Sequence, residues 1–148
     1  MSHIRQAKSE DLVRIAEIEI FNYRINFYPI FKNDWFFFEE LQVIKRIKKY
    51  ENSIDSIWVY DDGVVKGFIQ VNNLEVMKLF VEPILQGNSI GAELLDFAIS
   101  EGDANFLWAL EKNTRAIAFY KRNGFEITND KMYEKDTTEF LVRMERKI

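Results

Sequence analysis

Glu75-Val-Met-Lys-Leu-Phe-Val-Glu-Pro83, followed by Gln86-Gly-Asn-Ser-Ile-Gly-Ala92 and Glu93-Leu-Leu-Asp-Phe-Ala-Ile-Ser100, is the stretch from which the rest of the chain can be placed. An apolar run stopped by a proline reads as a strand, the small polar residues after it as a tight loop, and the residues beyond as an amphipathic helix. That succession leaves backbone N–H groups free at the helix start, where negative charge is favoured. The stretch is a candidate phosphate cradle.

Upstream, Ile57-Trp-Val-Tyr60, the turn Asp61-Asp-Gly63 and the run Val64 to Val71 predict a hairpin. Asn72-Asn73 permits another turn, so three antiparallel strands are expected to lead up to the loop. Downstream, Phe106-Leu-Trp-Ala-Leu110 reads as a buried strand and Asn113 to Arg122 as a helix closed by Asn123-Gly124. Phe125 to Thr128 and Thr138 to Glu145 predict two last strands joined by the polar loop 129–137. At the other end, His3 to Ala7 predicts a strand, and Ser9 with Glu10 and Asp11 an N-cap with acids placed for the helix dipole. Leu12, Ile15, Ala16 and Glu19 step at helical spacing towards Asn22. Tyr23 to Pro29 is expected to be loop, because the residue before a proline leaves the helical region. A second helix is expected from Asp34 through Leu41, Ile44 and Ile47 to Tyr50. The sum is a mixed α/β fold, expected as a single domain over residues 1–148, with no internal repeat or linker.

A net charge of -4 argues against nucleic acid as the main partner. Lys45-Arg46-Ile47-Lys48-Lys49 reads as the solvated face of a helix. With no Cys and a single His, His3, at the N-terminal end, neither a cysteine nucleophile nor a Ser-His-Asp triad is available, and no metal site is expected. Any acid or base must be Glu, Asp, Tyr or Lys. No run is long and apolar enough for a membrane span and no leader is visible, so a cytoplasmic protein is expected. The 13 Phe, 6 Tyr and 3 Trp are a heavy aromatic load, concentrated in Trp35-Phe-Phe-Phe38. That run either packs into the core and a dimer or loop contact, or forms the apolar wall of a substrate pocket.

The cradle lacks G-x-x-x-x-G-K-[ST] and any loop lysine, which excludes a Walker A site, and lacks G-x-G-x-x-G after a strand, which argues against a dinucleotide fold. Gln86-Gly-Asn-Ser-Ile-Gly91 resembles instead the Q/R-x-x-G-x-G/A loop of the GNAT N-acetyltransferases. Asn113-Thr-Arg-Ala-Ile-Ala-Phe-Tyr-Lys-Arg-Asn-Gly-Phe125 resembles that superfamily's second signature, N-x-x-A-x-x-F-Y-x-x-x-G-F. The loop by itself is a weak signal, whereas the second motif at its proper distance is specific.

The resemblance implies a mostly antiparallel central sheet, flanked by about four helices, that binds acetyl-CoA where the fourth and fifth strands splay. It implies an N-acetyltransferase acting on a small-molecule or protein amine by direct attack, since no cysteine can carry the acetyl group, and family habit leans towards a homodimer. It implies a pyrophosphate held by Gln86, Gly87, Asn88, Ser89, Ile90, Gly91 and Ala92, and a thioester carbonyl bonded by the N–H of Leu79 or Phe80. By the same resemblance Val81 would pair with the pantetheine arm, Asn113 would bond that arm or cap its helix, and Ala116 and Phe119 are expected in the cofactor site. Tyr120 stands at the general acid position; its alternative is a ring packed between helix and sheet. Glu75 is the candidate base, or else a strand-end carboxylate beside an ordered-water route. Ser89 departs from the middle glycine of the loop: its Cβ can crowd the ligand or narrow the allowed dihedrals, while its hydroxyl can donate to a phosphate oxygen or cap the helix, so weakened or slightly shifted cofactor binding is expected. A rival in another class is a non-catalytic acyl-CoA-binding or protein-interaction module with a degenerate cofactor loop.

Overall fold

The computed structural model describes residues 2–147. One seven-stranded sheet runs in the order β1-β2-β3-β4-β5-β7-β6. Its strands are β1 (Ile4–Gln6), β2 (Ile57–Asp61), β3 (Val65–Asn72), β4 (Glu75–Val81), β5 (Phe106–Leu110), β6 (Phe125–Tyr133) and β7 (Phe140–Arg146). Every neighbouring pair is antiparallel except β4 with β5.

Helices cover both faces because both faces of the sheet are apolar. On the back, Ile90, Leu94, Leu95 and Ala98 of α4 (Ile90–Gly102) and Ile117 of α5 (Thr114–Arg122) bury Ile69, Val76, Val81, Leu107 and Met144. On the front, Leu12, Ile15 and Ile18 of α1 (Leu12–Asn22) and Tyr50 of α3 (Val43–Glu51) bury Ile57, Val59 and Phe68. Among the described residues no helix is long and apolar enough to cross a membrane.

The sheet opens at one place. β4 and β5 pair only at Glu75 with Phe106 and Val76 with Leu107. Opposite Gln70 and Val71 of β3, the partners on β4 are Lys78 and Val76, so Met77 is an extra residue, a bulge that bends β4 where its pairing to β5 stops. β5 meanwhile stays paired with β7 from Phe106 to Leu110. The far end of β4, Leu79 to Val81, is left with one free edge.

Four expectations need correction. Tyr23–Phe27 is a π-helical turn running into the short helix α2 (Tyr28–Phe31), with Pro29 in its first turn. Pro29 thus falls inside an unbroken helical run, and its missing N–H coincides with the widened π-helical turn just before it. The expected helix from Asp34 to Tyr50 is split: Trp35–Glu40 is π-helical, Leu41 leaves the helical region at ψ 81, and α3 starts afresh at Val43. β6 extends to Tyr133, irregular between Ile127 and Lys131, so that much of the expected loop is strand. Ser9 does not cap; the Asp11 carboxylate accepts the Lys8 N–H at 2.8 Å. In the aromatic run, Phe37 is buried beside Ile20 and Leu41, whereas Trp35 is 63% exposed.

Candidate functional site

The splay opens into a cleft of about 450 Å³ lined from three directions. Leu79, Phe80 and Val81 form its floor, the loop from Gln86 and the start of α4 one wall, and Asn113, Ala116, Phe119 and Tyr120 of α5 the other. Residues far apart in the chain are thus brought together; of the expected site residues, Asn88 and Glu75 are not among the lining.

Main-chain direction on β4 follows from strand alternation. The Glu82 N–H donates to the Lys66 carbonyl of β3 at 2.8 Å, so the N–H groups of Phe80 and Lys78 also face β3, and those of Leu79 and Val81 face the splay. Phe80 presents its ring instead, edge-on to Tyr23 and Phe27 on the front face.

The wall opposite is a row of amides. The first backbone bond into α4 is Glu93 N–H to Ser89 carbonyl, 3.0 Å, so the N–H groups from Gly87 to Ala92 precede the helical ladder. Ser89 takes up a left-handed conformation, φ 69 and ψ 0, and its hydroxyl makes no cap. Gly91 is needed for space: a Cβ there would lie 3.3 Å from Phe119 Cζ and 3.7 Å from Val81 Cγ2. The missing side chain lets α5 approach the start of α4, which narrows the cleft. Asn113 caps α5, its side chain accepting the Ala116 N–H at 3.3 Å.

The Tyr120 ring packs edge-on against Phe119 and Phe125. Its hydroxyl has no hydrogen-bond partner among the described residues and is not sealed off, since no buried side-chain polar atom lacks a partner. Burial pushes the phenol above the ordinary tyrosine value, so it stays protonated through neutral pH. Glu75 lies four residues from Leu79, roughly 13 Å along the strand. Burial pushes its carboxyl up, against the opposing pull of Arg143.

Several cleft residues were outside the sequence reading. Arg115 and Arg122 bring positive charge that Gln86 does not supply, and Asn22 enters from the end of α1. Arg46, read as part of a solvated face, is buried: it donates to Glu19 at 2.7 Å. Lys78 Nζ reaches the same carboxylate at 2.5 Å, and the Tyr50 hydroxyl donates to it as well. Burial would push the Glu19 carboxyl up, but Lys78 and Arg46 together hold it below the usual range. The signals were a carboxylate on the apolar stripe of α1 and a lysine inside an apolar strand, each requiring a buried partner.

Residues 53–127 match the family model described as acetyltransferase (GNAT) domain. A peptidyl-lysine N-acetyltransferase, YjaB of Salmonella typhimurium, is 31% identical over 74 residues, 49% of this chain and 51% of that protein. The chain spans about half the length of the curated relatives it matches. The solution structure of apo YjaB from Escherichia coli superposes with a TM-score of 0.70 at 20% identity, covering 97% of this chain and 95% of that one. The PaiA N-acetyltransferase of Thermoplasma acidophilum, crystallised in complex with coenzyme A, gives 0.69 at 21% identity, covering 97% and 98%.

Proposed function

The chain belongs to the GNAT acetyltransferase family, and from that premise we propose that it transfers an acetyl group from acetyl-CoA to a primary amine by direct attack. The observation that carries the reading is the cleft itself: a free β4 edge, a row of unladdered amides and an unpartnered phenol converge on one space. Coenzyme A in the PaiA complex supports the same cofactor here.

The residues fit such a group. The N–H groups from Gly87 to Ala92, with the positive end of α4 behind them, suit a pyrophosphate. Arg115 and Arg122 add cationic charge. Val81 offers its main chain to an extended pantetheine as a strand offers its edge. When bound, acetyl-CoA supplies an acyl carbon attached to a thiol leaving group. The Leu79 N–H, which faces the splay, is placed to polarise a carbonyl, and the N–H of Phe80 is not. Tyr120, protonated and unpartnered, returns a proton to the departing sulfur as the amine nitrogen takes the acetyl group. Glu75 accepts the amine's proton through water, because it stands too far along β4 for direct contact. The acceptor enters on the front, past Phe80, Tyr23 and Phe27. The name of the YjaB relatives supports a lysine side chain as one candidate acceptor, beside small amines.

The test is incubation with acetyl-CoA and a panel of polyamines, amino acids and lysine peptides, following free thiol and product mass. Acetylated amine with stoichiometric thiol supports the enzyme. Tight CoA binding with no thiol release from any amine would move the reading to a binding module.

A further inference from the structure

Asn22, the last residue of α1, is 2% exposed yet lines the cleft. Its Nδ2 donates to the Ile18 carbonyl at 2.8 Å, within its own helix, and to the Val81 carbonyl at 2.9 Å, across to the free edge of β4. Its Oδ1 accepts Gln86 Nε2 at 3.0 Å and, more weakly, Asn26 Nδ2 at 3.4 Å from the π-helical turn that follows. Gln86 Nε2 also lies 3.5 Å from the Val81 carbonyl. One side chain therefore ties together three elements at the cleft: the end of α1, the end of β4 and the first residue of the amide loop.

Each tie answers a specific need. The Val81 carbonyl faces the side of β4 that β5 has left, so it has no ladder partner, and without Asn22 only the long 3.5 Å contact from Gln86 Nε2 would be left to it. Gln86 stands where a longer cation would otherwise reach for phosphate, but its amide is turned inward and spent on Asn22. It serves here to anchor the loop and leaves phosphate charge to Arg115 and Arg122. The π-helical turn after Asn22 widens the helix just beyond the clamp and places Asn26 one turn on, also against the cleft.

We infer that Asn22 is a positioning residue for the acyl-CoA site, clamping the Val81 carbonyl and the Gln86 side chain so that the Val81 N–H and the loop amides are held ready for the cofactor. The inference rests on the acetyl-CoA reading above. It predicts coupling: Asn22 and Gln86 act through one hydrogen bond, so their effects on cofactor affinity do not multiply.

The experiment is titration calorimetry of coenzyme A with wild type, Asn22→Ala, Gln86→Ala and the double variant, with KM and kcat on any active amine. Asn22→Ala is expected to weaken coenzyme A about tenfold, the scale of one lost hydrogen bond that leaves its partner unpaired. The double variant should bind within about twofold of Asn22→Ala, and kcat should stay within about twofold of wild type while KM for acetyl-CoA rises. Affinity unchanged in Asn22→Ala, or a double variant whose losses multiply, overturns the clamp. Should Asn22→Ala not fold, Gln86→Met at its half-buried place at the start of the loop carries the test: length without the donor should weaken coenzyme A, and unchanged affinity overturns the inference. A wild-type protein that binds no coenzyme A would instead defeat the functional reading itself.

Discussion

Replacing Ser89 by Gly isolates the one place where this chain departs from the loop pattern of its family. Ser89 holds φ 69 at the start of α4, a region that costs an L-residue about 1–2 kcal/mol and glycine almost nothing. Glycine in turn loses about 0.4–1 kcal/mol through the freedom it returns to the unfolded chain. The difference favours Ser89→Gly by about 0.8 kcal/mol, or roughly 2–3 °C in Tm for a domain of this size. Cofactor affinity reports something else. With the left-handed turn kept on binding, its strain cancels, and the change in coenzyme A affinity measures what the Ser89 side chain, Cβ and hydroxyl together, does at the cleft. Thermal melts followed by circular dichroism, with calorimetric titration of coenzyme A, separate the two quantities. Ser89→Ala is the control: it keeps the strain and removes a hydroxyl that makes no cap, so its Tm should stay within about 1–2 °C of wild type. A Ser89→Gly protein that melts below wild type, or a Ser89→Ala protein that melts above Ser89→Gly, refutes the reasoning.

Tyr120→Phe should lower turnover by about 10²-fold or more while coenzyme A binds as before, measured by thiol release and calorimetry. Unchanged turnover would remove Tyr120 from the acid role. Because the Glu75 carboxyl is raised by burial, the acid limb of kcat/KM should fall above the ordinary glutamate value of 4.5, and Glu75→Gln should lower the rate and abolish that limb; a limb that persists in the variant points to another base. Glu19→Ala should destabilise the protein by about 3–5 kcal/mol in urea unfolding, since it strands the buried Arg46 and Lys78 without their counter-ion. The Glu19 carboxyl is held below 4.5 in the folded state, so its contribution is fully present above that pH and is lost as the pH falls through the folded value; wild-type stability should decline there more steeply than that of Glu19→Gln. Gly91→Val should cost about 1–3 kcal/mol and weaken coenzyme A, because Phe119 already stands 3.3 Å from where a Cβ would be.

What the sequence discloses and what it hides divide along a physical line. The hairpin, the strand that ends at Val81, the cradle and the helix from Asn113 are set by neighbours in the chain: an Asp-Gly turn, a proline stop, a run of small residues and a cap with its closing glycine. Each could be read because the cause lies within a few residues of its effect. The π-helical turns could not. Pro29 and the aromatic run carry no local mark that distinguishes a widened helix from a loop, and Phe37 is ordered there by packing against Ile20, Leu41 and the rings of Tyr28 and Phe31. Asn22 and Glu19 belong to the same class. Their partners lie 59, 64 and 27 positions away, so the sequence presents only a polar residue on an apolar stripe.

That residual oddity is informative in itself. A carboxylate or amide at a core position must meet a partner from elsewhere, because burying it unpaired costs more than the packing it gives. In this chain two such residues on one helix face meet the two ends of β4's free segment: Glu19 takes Lys78 beside the bulge, and Asn22 takes the carbonyl of Val81 at the strand's last turn. The strand that has lost β5 as a neighbour is held in place by α1 instead. The splay on which the proposed chemistry depends is therefore braced by residues outside both family signatures, and of the variants that test those braces, those at Glu19 leave every lining residue of the cleft in place.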